Sequence, residues 1–183
     1  MTYVVLLRGI NVGGRNKIAM AALREHLAQR FPGVRTYIQS GNVLLDSELP
    51  AAEVATWIEE SLPQAFALDS SLIRALVLDE QQYATVLGEA PGDFGADPDA
   101  YRYDVGFYLG VGADDVRPYV PINPEVDEVA FGSRAFYFRR LTALATRSRL
   151  NRVIGSPVYA SLTIRNWRTT QTLGEMLRAT PRR

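Results

Sequence analysis

An α+β protein of two ferredoxin-like βαββαβ units is predicted, its sheets mainly antiparallel with helices on one face. Three observations predict it. Apolar, β-branched runs alternate with segments of helical periodicity; two tight-turn signals, Ser40-Gly41 and Gly132-Ser133, each join a pair of such runs; and the same element order recurs in the second half. The units are expected over 1–90 and 101–183. With 183 residues, the chain can fill one sizeable core or two small ones.

In order along the first unit, Thr2–Arg8 is an apolar run that reads as a buried strand. A glycine-rich loop over 9–17 follows. Met20, Leu23, Leu27 and Phe31 recur at helical spacing until Pro32-Gly33 stops the helix. Strands are expected over 34–39 and 42–46. Val54, Trp57, Ile58 and Leu62 mark a second helix, 72–78 a fourth strand, and about 79–89 a third helix. Residues 90–100, rich in Pro, Gly and Asp, read as a linker.

The second unit is expected to have strands at 103–109, 126–131, 135–140 and 161–165. A helical turn is placed at 113–118, a helix at about 147–155 and a closing helix at 167–178. The halves share no evident residue identity, so the duplication rests on element order and the matching hairpins.

Hydrophobic residues make up 47% and charged residues 22%, the proportions of a globular protein. No apolar run approaches the roughly 18 residues that cross a membrane, and the first residues carry no secretory signal, so no membrane partner is expected. The chain has no cysteine, which excludes disulfides, thiolate metal sites and cysteine nucleophiles and suits a reducing cytoplasm.

Net charge is zero, but the charges are segregated. Residues 79–128 hold two basic against twelve acidic side chains, and 133–183 hold eleven arginines against Glu175 alone. Such asymmetry suits either an anion-binding surface or mutual neutralisation of the two segments, and the second reading is favoured.

In a βαββαβ unit the first two strands are parallel, so the loop after the first lies at the same sheet edge as the hairpin tip after the second. That edge gathers Arg8, Asn11, Gly13, Gly14, Arg15 and Lys17 beside Gln39, Ser40 and Asn42, with no carboxylate among them. Cations, amides and a following helix N-terminus suit an anion, above all a phosphate. The loop lacks both the Gly-Lys-Ser/Thr ending of a P-loop and the Gly-x-Gly-x-x-Gly of a dinucleotide fingerprint. Plain backbone geometry also demands glycines in such turns.

Three segments carry a family resemblance. Residues 6–14 (Leu-Leu-Arg-Gly-Ile-Asn-Val-Gly-Gly) with Asn16-Lys17-Ile18, residues 36–43 (Thr-Tyr-Ile-Gln-Ser-Gly-Asn-Val), and residues 163–169 (Thr-Ile-Arg-Asn-Trp-Arg-Thr) resemble, in order and spacing, the bacterial family called domain of unknown function 1697. The middle, about 85–130, carries no motif of it. The resemblance implies a two-part α+β fold, no established activity and no catalytic residue.

In the third segment Arg165, Asn166 and Trp167 suit a planar or phosphorylated ligand, but a helix cap and a packing indole explain them better. His26, the one histidine, has no ligand or acid at useful spacing and reads as a partly exposed surface residue. Asp93, Asp97, Asp99 and Asp104 offer oxygens for a Mg²⁺-like ion, yet a solvated linker accounts for them, and no metal site is expected. Ser40 lacks the Gly-x-Ser-x-Gly of a nucleophile elbow. Tyr101, Tyr103, Phe107 and Tyr108, interleaved with Arg102, read mainly as strand packing.

The expected function is a binding module for a phosphorylated small molecule or nucleotide at the Gly-rich loop and hairpin edge. The alternatives are RNA or DNA binding through the C-terminal arginines and an enzyme on a phosphate-bearing substrate. No cofactor and no catalytic pair can be read from the sequence.

Overall fold

The first strand, β1 (Thr2–Arg8), is apolar on both of its faces and is buried on both, as suits a strand covered on each side. The computed structural model describes residues 1–39 and 41–179. Along the chain β1 is followed by α1 (Met20–Ala28), β2 (Arg35–Thr36), β3 (Asn42–Asp46), α2 (Ala51–Phe66), β4 (Arg74–Leu78) and α3 (Glu80–Gly88). Then come β5 (Tyr101–Tyr108), α4 (Ala113–Val116), β6 (Asp127–Phe131), β7 (Ala135–Leu141), α5 (Asn151–Ile154), β8 (Leu162–Asn166) and α6 (Trp167–Arg178).

The structure is α+β, with two four-stranded sheets in the orders β2-β3-β1-β4 and β6-β7-β5-β8. Every ladder in both is antiparallel. The residues group into two compact units, Met1–Tyr83 with Leu173–Arg183, and Ala84–Thr172. The division falls inside α3 and α6, not in the segment 90–100. That segment is an ordered part of the second unit: Phe94 is buried and its ring meets Tyr103, Tyr137 and Trp167 at 5.0–5.7 Å.

In the first unit, Leu23 and Leu27 of α1 and Val54, Ile58 and Leu62 of α2 pack on Tyr3, Val5, Leu7, Val43 and Leu45. Each such side chain contributes about 1.5–3 kcal/mol on burial. The reverse face is buried as well, at Val4, Leu6, Leu44 and Leu78. Arg35 on that face donates to the Met176 carbonyl of α6 at 3.5 Å. In the second unit, Phe136, Phe138 and Leu162 pack on Val116, Val120, Leu150 and Val153. The opposite face holds Tyr137, whose hydroxyl donates to the Val86 carbonyl of α3 at 2.6 Å. The reverse face of each sheet is therefore buried too, as strands apolar at both parities require, with α6 bonded to it at Arg35 and α3 at Tyr137.

The hairpin expectations also shift. β2 is two residues long because Ile38 takes φ +48°, which ends the strand. Tyr37 N donates to Asn42 O at 3.0 Å, so the first hairpin closes ahead of the expected Ser40-Gly41 turn, of which Ser40 lies outside the described residues. In the second hairpin Gly132 N donates to Ala135 O at 2.8 Å, so the turn residues are Ser133 and Arg134, one position later than expected. Among the described residues no helix is long and apolar enough to cross a membrane.

Candidate functional site

Leaving β1, the chain passes so close to the start of β4 that a Cβ on Gly9 (φ +86°) would stand 1.8 Å from the Leu72 carbonyl oxygen. Only glycine fits there. Beyond it the loop folds into a small hairpin. Asn11 N donates to Asn16 O and Arg15 N to Val12 O, both at 2.9 Å. Gly13 (φ +57°) and Gly14 (φ +78°) form the tip, the left-handed pair that a type I′ turn requires. The Asn11 side chain closes the base, accepting from Ile18 N at 2.9 Å and donating to Ile18 O at 3.0 Å. Asn16 donates to the carbonyls of Gly9 (2.8 Å) and Asp69 (3.3 Å) and accepts from Asp69 N at 3.0 Å.

Gly41 of the first hairpin stands directly beside this finger. Leu7 N donates to Gly41 O at 2.8 Å. A Cβ on Gly41 would lie 2.6 Å from Leu7 Cβ and 2.9 Å from Ile10 Cδ1. Asn42 is buried (1% exposed) and its amide donates to Tyr37 O at 3.1 Å, which closes the loop from within. Ile38 holds a left-handed conformation that costs a β-branched residue roughly 1–2 kcal/mol, yet its side chain is 55% exposed.

The predicted residues thus sort by what they do. Asn11 and Asn42 spend their amides on holding the loops, and Gly13 and Gly14 are an exposed tip. Arg15, Lys17 and Gln39 are exposed at the same edge. Arg8 is half-buried at the end of β1, directly opposite Arg74 of β4. Arg74 is drawn away by Glu59, 3.4 Å from its Nε. Ser40 lies outside the described residues.

Arg165, Asn166 and Trp167 belong to the second unit. Arg165 donates to Thr163 Oγ1 and Ile164 O, both at 2.9 Å. Asn166 Oδ1 accepts from Thr169 N at 2.8 Å, the N-cap bond of α6. Trp167 meets Phe94 edge-on at 5.2 Å, and a Cβ on Gly95 (φ +92°) would fall 2.4 Å from its Cδ1. Capping and packing account for Asn166 and Trp167.

Sequence reasoning missed Asp69, a carboxylate at the first-unit edge. Because β4 runs antiparallel to β1, the loop that leads into it returns to the end of β1, a consequence of the predicted topology. Asp69 accepts from the Ser71 hydroxyl at 2.6 Å and from Ser71 N at 3.1 Å. These bonds hold its pKa below the ordinary carboxylate value, with the charge of Arg15 a smaller contribution.

Some of the charges elsewhere pair internally. Arg139 bonds Glu128 and Asp93, each at 2.6 Å, Arg147 pairs with Glu125, and Arg140 stands 3.5 Å from Asp104. Four ion pairs therefore join the acidic segment 79–128 to the arginines that follow it. Burial raises the Asp104 pKa against the pull of Arg140 and Arg102. His26 stacks on Trp57 at 5.4 Å and bonds Ser61 at 3.1 Å, and burial lowers its pKa. It stands partly exposed between α1 and α2. Among the described residues no three His, Cys, Asp or Glu side chains cluster as metal ligands.

A cavity of about 870 Å³ lies at the opposite edge of the first sheet, lined among others by Arg30, Phe31, Asp46, Asp79 and Leu177. None of the predicted site residues lines it. Its carboxylates are mostly committed: Asp79 caps α3 through Gln82 N at 2.7 Å, and Asp46 accepts from Thr2 at 2.6 Å.

Comparisons with known proteins add a lineage. No curated protein matches the chain. The solved structure of the conserved bacterial protein SP0830 from Streptococcus pneumoniae is similar to it, at 29% identity and a TM-score of 0.78, over 96% of this chain and 98% of the other. A family model, described as protein of unknown function (DUF1697), matches residues 1–137. That range takes in the first two motif segments and the featureless middle, and stops short of 163–169. On that match, the chain belongs to the DUF1697 family of proteins of unknown function.

Proposed function

We propose that this protein is a binding module for a phosphorylated small molecule, held at the loop edge of the first unit by Arg8, Arg15 and Lys17, with Gln39 beside them. The observation that carries this reading is the Leu7 N to Gly41 O bond, which sets two polar turns side by side. The carboxylates near these cations are engaged already: Asp69 accepts from Ser71, and Glu59 holds Arg74 and accepts from Ala75 N. An anion with more than one negative charge is favoured over Asp69 as the partner of Arg15. The loops are built without it, since Asn11, Asn16 and Asn42 brace them from within, so the site is preorganised.

Equivalent strand orders in the two sheets support a further reading, that both units are ferredoxin-like and arose by duplication. A cysteine-free chain also suits the cytoplasm, where we place it.

The test is thermal stabilisation by inorganic pyrophosphate. The expected result is a concentration-dependent rise in Tm that Arg15→Ala and Arg8→Ala each reduce. An unchanged rise in both variants would show that the anion binds elsewhere, and no rise in the parent protein would dismiss the reading.

A further inference from the structure

We infer that the first-unit edge takes a nucleoside phosphate rather than a bare phosphate anion, and that Val12 and Ile38 form the seat for its organic part. This rests on the anion reading above and adds the class of ligand.

The two residues share an unusual situation. Val12 is 61% and Ile38 55% exposed, two of the most exposed large apolar side chains among the described residues. Each stands on one of the two neighbouring turns, Val12 beside the Gly13-Gly14 tip and Ile38 at the start of the loop that ends in Gly41. Arg8 and Arg15 flank Val12 in sequence, Lys17 follows, and Gln39 is next to Ile38.

Ile38 is the more telling of the two. Isoleucine is poorly suited to φ +48°, and a residue kept in such a conformation is normally repaid by burial of its side chain. Here the side chain is turned out to solvent, so the fold of the unit gains little from it. Asparagine or glycine would serve the loop better. Strain kept where the fold does not need it points to use of the side chain by something outside the chain.

Inorganic phosphate offers such a side chain nothing. A ligand with a flat, largely apolar body next to its phosphates offers contact to Val12 and Ile38 while the cations hold the charge. Gln39, exposed beside Ile38, brings an amide suited to a base edge. A nucleoside phosphate has both parts. It can come as a free nucleotide or as the 5′ end of a strand.

The experiment compares inorganic pyrophosphate, ADP and a 5′-phosphorylated dinucleotide by calorimetric titration, in the parent protein and in Ile38→Asn and Val12→Ser. Expected is a preference of about tenfold for ADP or the dinucleotide over pyrophosphate, with the tighter of the two naming the source. Ile38→Asn should lose that preference, keep its pyrophosphate affinity, and show an unliganded Tm equal to or above the parent's. Val12→Ser should lose part of the preference. Equal affinity for all three ligands in the parent would overturn the nucleoside assignment and leave the anion reading standing, whereas absence of binding by all three ends both. Retention of the preference in Ile38→Asn, or a lowered unliganded Tm, would make Ile38 a structural residue and overturn the inference.

Discussion

The two units use one plan at the same place and finish it differently. In the first, Leu7 N donates to Gly41 O and brings the hairpin tip against the end of β1; in the second, Tyr108 N donates to Arg134 O and does the same at the end of β5. Beyond that bond they diverge. The first unit continues into an eleven-residue loop with an exposed glycine tip and two cations, Arg15 and Lys17. The second continues into four residues, 109–112, before Asp114 and Asp115 open α4. Its hairpin tip is occupied, since Glu89 accepts from both Ser133 N (2.8 Å) and the Ser133 hydroxyl (3.0 Å). The first edge exposes Arg15 and Lys17, and the hairpin tip of the other is bonded to the chain's own carboxylate. Strand order sets where such an edge lies, and loop chemistry decides whether it can receive a ligand.

Substitutions at paired glycines test how far the first edge depends on its backbone. Gly9→Ala should cost about 3 kcal/mol or prevent folding, because both the positive φ and the Leu72 carbonyl at 1.8 Å oppose a Cβ. Gly110→Ala, at φ +72° in open space, should cost about 1 kcal/mol. Urea unfolding of the two variants measures the gap, and equal costs would remove the asymmetry between the edges. Glu89→Ala should follow, with a loss of about 1 kcal/mol or less as the 133–134 turn gives up two bonds to a carboxylate at an exposed site. If Glu89→Ala left stability unchanged and began to bind pyrophosphate, the closing carboxylate alone would separate the two edges, and the glycine finger would lose its role.

How much of this was readable beforehand depends on the range of the forces involved. β1 and α6 were read at their observed bounds, because continuous apolar runs and an Asn-led helix start are local signals. The shared edge of loop and hairpin followed from strand direction alone. The finer site did not. Whether Asn11 and Asn42 face a ligand or brace a loop depends on side-chain bonds to Ile18 and Tyr37, which composition does not carry. Ile38 looked like a strand residue, and its left-handed turn overrode that propensity. Asp69 was within reach of reasoning, since an antiparallel β4 must begin at that edge. The covered second face of each sheet was hinted at by strands apolar at both parities.

The smallest expected effect separates the units by pH. In the first unit, burial lowers the His26 pKa below 6.5. The unfolded chain then binds the proton more readily, so His26 contributes nothing adverse above pH 6.5, and stability is lost as pH falls through the unfolded and then the folded pKa. In the second, burial raises the Asp104 pKa above 3.8. Here the folded state holds the proton more tightly, so the contribution is fully present below 3.8 and is lost as pH rises through the folded value. Acidification from pH 7.5 to 5.5 should therefore weaken the first unit through His26, while protonation of Asp104 works in the opposite sense for the second. His26→Gln should flatten the fall in Tm between pH 7.5 and 5.5, and Asp104→Asn should remove the opposite contribution, the one that acidification strengthens. Hydrogen exchange read separately over α1 and β5 assigns each effect to its unit; a fall of equal size in both, or one untouched by His26→Gln, would mean that surface carboxylates govern the response.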